Sequence, residues 1–138
     1  MLVALSLAAC GDDRPLPDAC TSEPGDVRSA LAAAPSPVRV HGTLVSTCVR
    51  TARTPDELQR LGTSLVGAAG ELADSARARP GGQDEVSLGY LVGAARRGAG
   101  KLSGERSELV RRLEQEAQVL RGDKAAYRRG VEAGRRSG

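Results

Sequence analysis

The chain has 138 residues and a formal net charge of +3, and 21 Ala, 16 Leu and 12 Val supply nearly all of its apolar surface, with no Ile, Phe or Trp. That length supports one small domain rather than a large nucleotide-binding fold, and no apolar stretch approaches the roughly 18–20 residues that span a bilayer, which excludes a channel or transporter. Leu and Val make up 28 of the 138 residues, near the roughly 20% below which packed cores fail, yet the charge is too low to hold the chain open. The expected fold is all-α: a small, Ala-rich, antiparallel helical bundle.

Residues 1–9, Met-Leu-Val-Ala-Leu-Ser-Leu-Ala-Ala, are uncharged and apolar and run directly into Cys10-Gly11-Asp12-Asp13. Leu7-Ala8-Ala9-Cys10, a branched residue and two small residues before a Cys, resembles the lipobox of bacterial lipoproteins. The resemblance covers residues 1–10 only. It implies cleavage after Ala9, thioether lipidation and acylation of Cys10, and a lipid-anchored position on the extracytoplasmic face of the cell membrane. Several acyl chains anchor stably where one does not, each buried methylene contributing about 0.8 kcal/mol. Signal peptides open with a Lys or Arg, whereas the first basic residue here is Arg14, so the signal segment is expected to begin upstream of Met1. The resulting division is a signal segment at 1–9, a lipidated Cys with a flexible tether at 10–25, and a helical bundle with a basic C-terminal tail at 26–138.

Setting Cys10 aside leaves Cys20 and Cys48, an even number in an exported chain, and a disulfide is the expected pairing. Closing that loop would stabilise the fold by about 3–4 kcal/mol in the chain-entropy model. A redox pair or a metal site are the alternatives, though neither has C-x-x-C spacing and the chain holds 1 His. Residues 11–25 are polar and rich in turn formers, as a tether would be.

A first helix is predicted over Val27–Ala34, capped by Asp26 and stopped by Pro35 and Pro37. Val38–Val45, with a His41-Gly42 turn, suggests a short extended excursion, after which Ser46 caps a short helix carrying Cys48 and Val49. Thr54-Pro55-Asp56-Glu57 is a strong helix start, with Thr as N-cap, Pro at the first position and carboxylates at the positive end of the dipole. Leu58, Leu61, Leu65, Leu72 and Ala76 then form one stripe of a helix over 55–79. Its Gly62, Gly67 and Gly70 each cost about 1 kcal/mol in a helix interior, which a closely approaching neighbour would offset. A second long helix, 83–102, buries Leu88, Leu91, Val92, Ala95, Ala99 and Leu102. Its Gly89-x-x-x-Gly93 spacing suggests close packing within the bundle, because Arg96, Arg97 and Lys101 exclude burial in lipid. Two more helices, 105–121 with Leu109, Val110, Leu113, Ala117 and Leu120 inward, and 123–134 with Tyr127, Val131 and Gly134 on one side, complete the bundle.

Chemistry is sparse. Gly98-Ala99-Gly100-Lys101-Leu102 lacks the first Gly and the Ser or Thr of a phosphate-binding loop. His41 has no evident Ser or free thiol beside it, and each carboxylate cluster has a local explanation as tether, helix start or charged surface. No cofactor and no metal are expected. Residues 10–95 carry 8 basic and 11 acidic groups, whereas residues 96–138 carry 12 basic and 6 acidic. Arg121, Lys124, Arg128 and Arg135 recur at intervals of 3, 4 and 7, and with Arg129 and Arg136 they form a candidate surface for anionic lipid or a wall polymer. The 18 Arg against 2 Lys and the absence of Asn also fit a GC-rich genome, which supplies arginines without selection for binding. Nucleic acid is not an expected partner, because an exported chain is kept from it and only Tyr90 and Tyr127 are available to stack. The pattern is similar to small lipoproteins of high-GC Gram-positive bacteria. The expected function is that of a membrane-anchored, non-enzymatic module binding an envelope protein. An adaptor for anionic lipid or polymer is the alternative, and an envelope hydrolase the weakest.

Overall fold

The computed structural model describes residues 14–101 and 104–138 and places six α-helices among them: α1 Pro24–Leu31, α2 Val45–Thr51, α3 Pro55–Ala78, α4 Gln83–Ala99, α5 Glu105–Glu116 and α6 Ala125–Ser137. Turns of 3-10 helix at Asp18–Thr21 and Ala117–Val119 precede α1 and follow α5. The extended excursion reduces to one bridge between Val40 and Thr43, closed by His41 and Gly42 at φ 43° and 83°, the paired positive angles of a tight hairpin turn.

The start of α3 forms as its residues dictate. Thr54 Oγ1 accepts from Glu57 N at 3.2 Å and Glu57 Oε2 accepts from Thr54 N at 3.2 Å, a complete capping box. The short helix after the hairpin starts two residues early, at Val45, with Leu44 rather than Ser46 as its N-cap. Ser46 is buried inside its first turn, where a small side chain lets α4 approach.

The chain alternates in direction through α3, α4, α5 and α6, so α4 and α6 run parallel. Gly89 of α4 lies against the Tyr127 carbonyl of α6, and Gly93 against that of Val131. In return, Gly130 and Gly134 of α6 lie against the Val86 and Tyr90 carbonyls. A Cβ at any of the four would collide with backbone, so glycine sets this spacing and brings Cα–H groups onto opposing carbonyl oxygens. Farther along α4, Gly98 abuts Ser46 and Val49 of α2. Every residue of α4 from Glu85 to Ala95 is buried. The helix is the axis of the core, surrounded by α1, α2, α3, α5 and α6, rather than a helix with one inner stripe.

Residues 18–25 are not a tether. The 3-10 turn, the buried Cys20 and the Pro24 start of α1 dock them along α3. The contacts march in step: Leu16 backbone to Glu57, Ser64 Oγ donating to Ser22 O at 2.5 Å, Pro24 over Gly67, and Arg28 donating to Ser75 Oγ at 2.7 Å. Helix α4 then holds the end of α1 and the loop beyond it. Ser87 Oγ donates to Leu31 O at 2.8 Å, Gln83 Nε2 to Ala34 O at 2.6 Å, and the buried Tyr90 hydroxyl accepts from Val38 N at 2.9 Å. The expected basic tail is likewise folded: α6 continues to Ser137, and Gly138 packs on Ala94.

Candidate functional site

Cys20 and Cys48 form the expected disulfide, with an S–S distance of 2.08 Å and both residues buried. It joins the 3-10 turn to α2, so the pair staples the N-terminal segment and is enclosed by the core. Cys10, the expected lipidation site, lies outside the described residues.

The expected basic stripe is only partly assembled. Helix α6 begins at Ala125, after Gly122 at φ 84° and Lys124 at φ 57°, and Asp123 Oδ1 accepts from Ala125 N at 3.0 Å. Arg121 and Lys124 therefore precede the helix, and their spacing to Arg128 is not a helical one. Intervals of 3 and 4 place residues on one side only where the backbone between them is helical, and two left-handed residues interrupt it here. Arg128 reaches back to Asp123 O, and Arg136 stands 3.7 Å from Glu132. Arg129 and Arg135 are exposed with no carboxylate partner among the described residues.

The structure adds a second group that spacing along one helix does not reveal. Arg96 and Arg97 at the end of α4, with Gly100 and Arg135, line an open recess of about 360 Å³. Arg96 pairs with Glu114 of α5 at 2.6 Å. Arg97 donates to Arg136 O at 2.7 Å, which places a cation on the final carbonyls of α6. Parallel packing brings the negative ends of α4 and α6 together, and a guanidinium between them offsets that repulsion. At the opposite end Glu85 does the converse: Oε2 accepts from Gly81 N at 2.7 Å and Oε1 from Tyr127 N at 3.4 Å. Tyr127, half-buried beside the Arg96–Glu114 pair, has its hydroxyl pushed above its ordinary value by burial, with Arg96 acting in the other direction. Glu85 was legible as a helix-start residue. Its second role needs the fold, because Tyr127 is 42 residues away.

The His41 side chain is 64% exposed, and its Nε2 lies 3.7 Å from Asp26 Oδ2. Among the described residues no three His, Cys, Asp or Glu side chains are grouped to hold a metal, and no helix is long and apolar enough to cross a membrane. No protein-family model matches the chain, nor does any curated protein or solved structure.

Proposed function

We propose that the chain is an extracytoplasmic lipoprotein anchored through Cys10, whose bundle serves as a non-enzymatic interaction module for a protein of the cell envelope. The observation that carries this reading is a lipobox-like Leu7-Ala8-Ala9-Cys10 followed closely by a segment that the Cys20–Cys48 disulfide fastens to the bundle. Disulfides persist in oxidising compartments, and Cys10 is the one cysteine outside the pair. The buried polar side chains also have structural work: Ser64 and Ser87 fasten the N-terminal segment, and Glu85 joins two helix starts. Expressed from its own gene in the native host, the protein is expected to partition into detergent. Cys10→Ser should leave an unprocessed precursor, and wild-type processing of that variant would overturn the anchor.

The exposed, carboxylate-free Arg129 and Arg135 favour a second reading, an adaptor for an anionic lipid or wall polymer. Retention on such a surface that weakens as salt rises separates it from a module that binds only protein.

A further inference from the structure

We infer that the end of the bundle formed by the start of α3 and the C-termini of α4 and α6 is a seat for the anionic head groups of the membrane that holds Cys10, an inference that rests on the lipid-anchor reading. The N-terminal segment runs parallel to α3, with Arg28 beside Ser75, Pro24 over Gly67, Ser22 beside Ser64 and Leu16 at Glu57. Followed backward, the chain arrives at the first turn of α3. Cys10 is six residues before Leu16, a reach of at most roughly 20 Å, so an anchor there holds this end nearest the bilayer.

Arg106 of α5 donates to Ala52 O at 2.9 Å and Arg50 O at 3.1 Å, which brings the start of α5 to the link between α2 and α3. Gly98 packs on α2, and Arg97 ties α4 to the last turn of α6. The same end therefore gathers Arg50, Arg53, Arg97, Lys101, Arg135 and Arg136 from five parts of the chain. Arg50, Arg53, Lys101 and Arg135 are exposed and meet no carboxylate among the described residues. Carboxylates nearby are partly engaged: Asp56 with Arg60 at 3.1 Å, Glu57 with the Arg53 and Thr54 N–H groups, and Glu132 with Arg136, which leaves Asp18 and Glu105 among the described residues, with Asp12 and Asp13 in the sequence beside Cys10. Glu71, Asp74, Asp84 and Glu85 belong to the opposite end, where α3 stops and α4 starts. Anchor position and charge thus point the same way. A basic group at an anionic leaflet is worth most within a Debye length of about 8 Å, a range in which a short anchor keeps it.

The test uses the full chain with Cys10→Ser, oxidised, so that binding does not depend on lipidation. It is sedimented with vesicles of phosphatidylcholine, or of phosphatidylcholine mixed with phosphatidylglycerol, at low and high salt. The phosphatidylglycerol vesicles should retain more protein, and salt should release it. Replacing Arg50, Arg53, Lys101 and Arg135 by Gln should weaken retention by about fivefold per residue at low salt, the equivalent of roughly 1 kcal/mol each. Arg97 stays because it holds α6. A control of equal charge, Arg77, Arg79, Arg121 and Lys124 replaced by Gln at the other end, should retain the preference. Circular dichroism and thiol alkylation verify that both variants fold. Equal losses in the two variants, no preference for phosphatidylglycerol, or retention by soluble polyphosphate without a vesicle preference would each overturn the seat. Mass analysis of Cys10 from host membranes tests the anchor separately: an unacylated Cys10 removes that reading, while the vesicle comparison decides the seat by itself.

Discussion

Glu85 is 1% exposed and stands where the positive ends of two parallel helices meet, accepting from the backbone N–H groups of Gly81 and Tyr127. Burying a carboxylate is costly unless donors satisfy it, and here both oxygens have one. Glu85→Ala should cost roughly 2–4 kcal/mol, through two orphaned N–H groups and the space left behind. Glu85→Gln should cost less, since it preserves shape and one acceptor but not the charge. Urea midpoints at constant m-value measure both, and two neutral variants would remove the bridging role. Glu57 is the exposed counterpart. Hydrogen bonds from the Arg53 and then the Thr54 backbone hold its carboxyl below its ordinary value of 4.5. The folded state binds this proton more weakly than the unfolded chain, so the contribution is complete above the ordinary value and is lost as pH falls through the folded one. The Tm difference between the wild type and Glu57→Gln should therefore be full at neutral pH and close as the solution is acidified below 4.5. A constant difference would show that the capping box does not depend on the charge.

Among the elements, the pairing of α4 with α6 separates two uses of glycine that look alike in the sequence. Gly93→Ala or Gly134→Ala would place a methyl group against an opposing carbonyl, and forcing the helices apart should cost roughly 2–3 kcal/mol despite the better helix propensity of Ala. Gly70, in the interior of α3, has only Glu116 Oε2 near it, at 3.6 Å. Gly70→Ala should stabilise by up to about 1 kcal/mol. Thermal unfolding of the three variants checks the opposite signs, and a stabilised Gly93→Ala would contradict the close approach. Close packing was legible from Gly89-x-x-x-Gly93, and the long helices from their caps and Leu spacing. The partner was not legible, because Gly130 and Gly134 lie in a helix whose arginines dominate its pattern. The central position of α4 was also hidden: Gly, Ser and Tyr weaken an apolar signal in sequence, yet here they pack against backbone or bond across the core. Gly62 shows the converse, since its expected close neighbour proves to be ordinary contact with Leu109 and Arg112 at 3.6–3.8 Å.

For the whole molecule, the decisive departure from sequence is that Asp18–Leu31 belongs to the bundle. Local composition marked much of it as tether because Pro, Gly, Ser and Thr favour turns, and what folds it is long-range: a disulfide spanning 28 positions, a Ser64 hydroxyl and the Gly67 notch that receives Pro24. Leu and Val are few, and this segment adds the buried Cys20, Val27 and Leu31 to the core, with Ala34 and Val38 following from the loop beyond it. The disulfide restrains that addition in the unfolded chain, where loop closure costs most. Replacing Cys20 and Cys48 together by Ser should lower stability by about 3–4 kcal/mol. The loss should appear as a lower denaturant midpoint, while hydrogen exchange accelerates first at Val27–Leu31, whose remaining ties are the burial of Val27 and Leu31 and side-chain hydrogen bonds to α3 and α4. The oxidised protein should show both thiols blocked to alkylation after denaturation. Two reactive thiols, or a double variant of unchanged stability, would mean that Ser64, Ser87 and Gln83 hold the segment without the staple.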